Sequence, residues 1–171
     1  MQRKTVLMPL PDRDFDVTES AVPWKVLTRV GVVVVFATEE GGRAPACDPL
    51  LLTGVLLGQL GAAADAVAAY REMEQDAAFR QPLSWRTADF SVFDGLLLVG
   101  GHAPGMRQYL GSAELQARVA AFWALERPVG AICHGALVAA RAGVLRGVAS
   151  ACLPFYMERL AFFLTWWKLG R

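Results

Sequence analysis

Cys133 and His134 stand side by side in the run Val129-Gly130-Ala131-Ile132-Cys133-His134-Gly135-Ala136, with small residues around them. A thiol beside an imidazole is a pair suited to nucleophilic catalysis, because the base can take the proton that the attacking sulfur must lose. The flanking pattern reads as a short strand, Pro128–Ile132, running into an Ala-rich helix, Ala136–Arg141, that Gly143 ends. A sharp strand-to-helix turn holds a nucleophile in strained backbone, and small neighbours are needed to avoid clashes. The serine form is G-x-S-x-G; here Ala131 stands for the first glycine and Cys133 for the serine. At a helix N-terminus, the dipole and free N–H groups predict a Cys133 thiolate at neutral pH, with the His134 N–H facing an oxyanion on the substrate. A buried structural cysteine at a strand end would fit the same position.

The second cluster is Gly100-Gly101-His102-Ala103-Pro104-Gly105, directly after the apolar run Phe93–Val99. In an open α/β sheet, loops at the carboxyl ends of neighbouring strands meet at the ligand crevice. The N–H groups of Gly100 and Gly101 are therefore placed to complete an oxyanion hole beside Cys133, although a plain turn would use the same residues. His102 reads as a pocket-lining residue. The loop lacks G-x-G-x-x-G spacing and the chain has no phosphate-binding loop, so no cofactor is expected. Cys47, Cys133 and Cys152 are odd in number and widely spaced. They predict neither a disulfide framework nor a metal site, and they suit a reducing, cytoplasmic compartment.

Positioning these loops requires a parallel sheet flanked by helices, and the pattern along the chain supports one. Thr5–Leu10 reads as the first strand and residues 11–16 as a loop. Thr18 reads as the cap of a helix to about Arg29, with Glu19 in its first turn. Gly31–Thr38, with four consecutive valines, is the clearest strand. Asp48-Pro49 opens a helical region, and Ala62–Ala78 predicts a longer helix. Phe93–Val99 is a further strand, and Ser112 caps a helix with Leu115, Val119 and Phe122–Trp123 on its apolar side. A strand near Val148–Cys152 and a helix from about Phe155 to Trp167 complete the reading. The expected fold is an α/β three-layer sandwich with a mostly parallel central sheet. It forms one domain over residues 1–171, with a helical insertion at about 48–80.

The 171 residues suit one domain with a real core; 54% are hydrophobic and 19% charged, which excludes a disordered chain. The net charge of +1 disfavours binding to nucleic acid or to an anionic membrane surface. The apolar stretches Val30–Thr38 and Leu160–Trp167 fall short of the ~20 residues needed to span a bilayer, and the N-terminus does not read as a secretory signal.

With both clusters in view, the chain resembles the ThiJ/PfpI superfamily, which shares the class I glutamine amidotransferase-like, flavodoxin-like fold. The stretches that carry the resemblance are Leu96–Gly105, Ala131–Gly135 and Thr18–Pro23. It implies that Glu19, in its protonated form and with Pro23 four residues on, lies beside Cys133 and hydrogen-bonds it or shuttles protons. It further implies a Cys-His-acid triad in which Glu158 supplies the acid; a solvated charge on the last helix is the alternative. Relatives usually continue beyond the point where this chain stops. The aromatic residues Phe162, Phe163, Trp166 and Trp167 are therefore expected to need a burial partner, such as a subunit interface. A homodimer is the implied assembly.

Two classes of function fit. One is a cofactor-independent enzyme acting on a small-molecule carbonyl or amide substrate: a glutathione-independent glyoxalase converting methylglyoxal to lactate, or an amidase or peptidase. The other is a stress-response chaperone or redox sensor whose Cys133 is oxidised without turnover. The walls of the substrate pocket are expected from Cys47–Trp85.

Overall fold

Runs of apolar and β-branched residues supply the central strands, and capped segments of helical period connect them. The computed structural model describes residues 3–54 and 60–151, together with Tyr156, Arg159 and Phe163. In chain order the first elements are β1 (Thr5–Pro9), β2 (Arg13–Phe15), α1 (Val17–Arg29), β3 (Val33–Thr38), β4 (Ala46–Cys47), α2 (Pro49–Thr53) and α3 (Ala64–Met73). They are followed by α4 (Ala77–Arg80), β5 (Leu83–Ser84), a 3-10 turn at Phe90–Val92, β6 (Gly95–Leu98), α5 (Met106–Gly111), α6 (Ala113–Trp123), β7 (Val129–Ala131) and α7 (Gly135–Arg141).

The main sheet is parallel throughout, in the order β5-β3-β1-β6-β7. β1 lies at its centre, with Thr5 opposite Val33 on one side and Val6 opposite Gly95 on the other. From β1 the chain moves outward to β3 and β5, and from β6 it moves the opposite way to β7. Right-handed crossovers in the two directions put their helices on opposite faces. Accordingly α1 packs with α3, whereas α7 packs with α5, α6 and the β6–β7 pair. Leu7, Met8, Phe36, Leu96, Leu98, Leu115, Val119, Phe122 and Val138 form the core between the layers, each at most 3% exposed. The fold class read from the sequence, an α/β sandwich on a parallel sheet, is the one observed.

Several boundaries differ for local reasons. α1 is capped by Asp16, whose carboxylate accepts from the N–H groups of Thr18 (2.7 Å) and Glu19 (3.0 Å); Thr18 lies inside the helix. The expected helix Ala62–Ala78 is two helices, because Asp76 caps the second through Ala78 N–H. The Phe93–Val99 strand shortens to Gly95–Leu98; Asp94 is engaged with the Thr5 N–H and the Lys4 ammonium. Trp123, read with Phe122 on the apolar side of α6, is 36% exposed. Residues 148–151 form no strand, since Gly143 and Gly147, both at φ +77°, turn the chain just before them. Most of the expected C-terminal helix lies outside the described residues, although Tyr156, Arg159 and Phe163 are helical.

Two short strands escaped the sequence pattern. β2 and β4 pair in a small parallel sheet beside the main one, within the segment read as a loop. No helix among the described residues is long and apolar enough to cross a membrane.

The cap gives a direct test. Asp16→Ala should lower stability by ~1–2 kcal/mol in urea unfolding, as loss of a side-chain N-cap does. Thr18→Ala should fall within about 0.5 kcal/mol of wild type, the range of an exposed substitution without such a role.

Candidate active site

Three loops at the carboxyl ends of β1, β6 and β7 meet where the strand order reverses, the usual ligand crevice of an open α/β sheet. The first carries Asp14, Asp16 and, one turn into α1, Glu19. The second is Gly100–Gly105. The third is the turn from β7 into α7, with Cys133 at its apex.

Cys133 has φ +50°, a left-handed conformation that non-glycine residues rarely adopt and the strain expected of a nucleophile elbow. Ile132 N–H donates to Leu98 C=O at 2.9 Å, which holds the elbow against β6. Gly135 packs so closely there that a Cβ would lie 2.7 Å from the Leu98 carbonyl carbon. The middle loop is equally tight. Gly100 N–H donates to Glu19 Oε2 at 2.8 Å, and Asp16 N–H donates to Gly100 C=O at 2.9 Å. A Cβ at position 100 would stand 2.7 Å from both Glu19 Oε2 and the His134 nitrogen.

The sulfur is thus surrounded by its expected helpers. The Cys133 thiol hydrogen-bonds to the Glu19 carboxylate, the His134 backbone N–H points at the sulfur, and His134 Nδ1 lies 3.4 Å from Sγ. Burial, then the charge and hydrogen bond of Glu19, push the thiol up to about 11. Cys133 is nonetheless exposed at the crevice mouth, so the direction rests more firmly on the adjacent carboxylate than on burial. Glu19 is itself raised, by burial first and by Asp16 second. This upward direction runs against the thiolate expected at neutral pH: α7 spans only seven residues, and burial and Glu19 both disfavour the charged sulfur.

The other residues singled out in the sequence divide as follows. His102 is exposed and sets its ring edge-on to that of His134, with centroids 4.5 Å apart. Gly100 N–H, expected to face a substrate oxygen, is instead engaged by Glu19. Glu158 lies outside the described residues. Cys47 is buried in the core, its N–H donating to Tyr70 Oη at 3.3 Å, and its thiol is also pushed up to about 11, chiefly by burial.

Three acidic residues were not recognised in the sequence. Asp14 has φ +73°, and its carboxylate accepts from Gly105 N–H at 2.7 Å, tying the first loop to the second. Asp16 caps α1, and Asp48 is 7% exposed and raised by burial, with Asp14, Asp16 and His102 in its field. The alternation Asp12-x-Asp14-x-Asp16 was the available signal for Asp14 and Asp16, while Asp48 was read only as opening a helical region. The fold also gathers one ligand atom each from His102, Cys133 and His134 within 4.8 Å of one another, a grouping that no spacing motif announces. An apolar hollow between Pro23, Val26 and Leu27 of α1 and Leu97 of β6 contains none of these residues.

If Glu19 holds the thiol up, Glu19→Gln should free it. In metal-free protein, iodoacetamide should alkylate wild-type Cys133 slowly at neutral pH and faster as pH rises. The glutamine variant should show the same rise at lower pH, because it removes a negative charge that disfavours the thiolate. Unchanged or upward-shifted profiles would contradict the pairing.

Comparison with known proteins agrees with this geometry. The family model described as ThiJ/PfpI family-like matches residues 10–169. An uncharacterized protein of Schizosaccharomyces pombe is 30% identical over 161 residues, which cover 90% of this chain and 60% of that protein. The chain therefore spans well under two thirds of that relative's length. Among solved structures, a ThiJ/PfpI domain protein from Brachyspira murdochii superposes with a TM-score of 0.64 at 17% identity, over 94% of this chain and 76% of the other. Glyoxalase III from Candida albicans does so with a TM-score of 0.55 at 19% identity, over 79% and 59%. At such identities the structural likeness is one of fold, but the family match runs over nearly the whole sequence and includes every loop of the crevice. The chain belongs to the ThiJ/PfpI family.

Proposed function

We propose that the chain is a cofactor-independent enzyme in which Cys133 attacks reactive 2-oxoaldehydes, acting as a glutathione-independent glyoxalase that turns methylglyoxal into lactate. The observation that carries this reading is the thiol in left-handed backbone with the Glu19 carboxylate and the His134 imidazole both at its sulfur. That a glyoxalase III shares the fold adds support.

In the proposed sequence Glu19 takes the thiol proton as sulfur adds to the aldehyde carbon, and the resulting alkoxide gains a proton to give a hemithioacetal. Glu19 or His134 then removes the hydrogen from that carbon, forming an enediol. Return of the proton to the neighbouring carbon yields a 2-hydroxy thioester. Water attacks the thioester, releasing lactate and restoring the thiol. Gly101 and His134 N–H groups would steady the oxyanions formed on addition and hydrolysis. His102 would line the pocket.

A second reading, hydrolysis of an amide or peptide, draws on the same Cys133–His134 contact, since His134 could protonate a leaving amine. A stress-response or peroxide-sensing role would use the same exposed Cys133, oxidised without turnover.

The test is lactate formation from methylglyoxal without glutathione. Cys133→Ala should lose essentially all activity, and Glu19→Gln should fall by ~10²–10⁴ in kcat, the usual contribution of a positioned base. Activity that survives in Cys133→Ala would remove the nucleophile. Inactivity of the wild type toward methylglyoxal, with Cys133-dependent hydrolysis of amides, would select the second reading.

A further inference from the structure

We infer that His102, Cys133 and His134 form a binding site for a thiophilic divalent cation of the zinc class, and that the bound ion shuts off the nucleophile. Metal binding does not depend on the glyoxalase reading; only the loss of that activity does.

The geometry comes first. One ligand atom from each residue lies within 4.8 Å of the other two, and the Sγ–Nδ1 separation of Cys133 and His134 is 3.4 Å. A tetrahedral zinc ion with bonds of ~2.3 Å to sulfur and ~2.0 Å to nitrogen sets those atoms about 3.5 Å apart. The pair is therefore already near its chelating distance, and His102 has to close by at most about 1.5 Å to complete the face, given the same bond lengths.

Ligand chemistry selects the ion. One thiolate and two imidazoles suit zinc and its softer neighbours, whereas magnesium and calcium want oxygen ligands. The two supporting loops are anchored independently of the ligands. Gly100 bonds to Asp16 and Glu19, Gly105 bonds to Asp14, and the elbow is tied to Leu98. The surroundings favour a cation as well. Glu19 and Asp16 act electrostatically on Cys133, and Glu19 and Asp48 interact with His102. Carboxylates just outside a ligand set orient imidazoles and strengthen their hold on a metal.

The proton balance is simple. Coordination converts the Cys133 thiol and the free dication into a thiolate–metal pair of charge +1 and releases one proton, which Glu19 can accept and pass to solvent. The sulfur lone pair that would attack a carbonyl is then donated to the metal. Three protein ligands leave a fourth position for water.

The experiment uses the whole chain, stripped of metal with a chelator and titrated at neutral pH with zinc alone by calorimetry. A parallel titration with cobalt(II) is followed by absorption. One equivalent should bind with a Kd of about 1 µM or tighter, and cobalt should develop a thiolate charge-transfer band. Cys133→Ser should abolish the band and weaken zinc by ~100-fold or more, and His102→Asn should weaken it by ~10-fold or more. Cys152→Ser should leave both unchanged. Circular dichroism checks that each variant folds; if Cys133→Ser does not, the His102→Asn titration decides. Zinc should also block methylglyoxal turnover, with recovery on adding chelator. No uptake by wild-type protein at ~100 µM zinc, or an undiminished band in folded Cys133→Ser, would overturn the site. If wild type turns over no methylglyoxal, the calorimetric and cobalt readouts still decide on the metal.

Discussion

Gly100 holds the crevice together through both of its main-chain groups. Its N–H donates to Glu19 Oε2 and its carbonyl accepts from Asp16 N–H, so a single residue after β6 fixes both the entry of α1 and the side chain that faces the nucleophile. The elbow closes over the same point, with His134 N at 2.7 Å and Ile132 O at 3.1 Å from where a Cβ would stand. Any side chain at position 100 would press on all three segments at once, against backbone that cannot give way. The glycine is therefore a steric requirement of the site, and flexibility has little to do with it.

The arrangement separates two properties that are often conflated, a low thiol pKa and a useful nucleophile. Cys47 and Cys133 are both pushed up to about 11. For Cys47 the leading cause is burial, and the residue is only 5% exposed. For Cys133 part of the cause is the carboxylate that would take its proton, and the sulfur sits at the mouth of the crevice. In the proposed cycle the carboxyl group that pushes the thiol up would also be the base for its activation, so a raised pKa and readiness would coexist.

Much of this was legible in the sequence, and the parts that were not share a cause. The elbow is local: eight consecutive residues encode the strand, the turn and the helix start, and Cys133 indeed takes left-handed backbone. Gly100-Gly101 was readable as a loop facing the elbow, but the bonding of Gly100 to Glu19 joins residues 81 positions apart. The upward push on the Cys133 thiol was hidden for the same reason, since the helix dipole is visible in sequence and the placing of Glu19 beside the elbow is not. Asp16 was passed over as a cap because the helix signal began two residues later. β2 and β4, of three and two residues, are too short to show a period. The convergence of His102 with Cys133 and His134 depends on two strands lying next to each other, which spacing cannot encode.

Strand order explains why the middle loop carries the glycine. Glu19 follows β1 and Cys133 follows β7, and β6 lies between those strands in the sheet. Adjacent strands are ~4.8 Å apart, so the two outer loops start about 10 Å from each other. A carboxylate and a thiol can reach across that gap to form a hydrogen bond only if the loop between them stays low. Gly100 keeps it low, and its N–H then serves as the floor on which the Glu19 carboxylate rests. The reactive pair is a consequence of three parallel strands ending at one level, with the side chain removed from the central one.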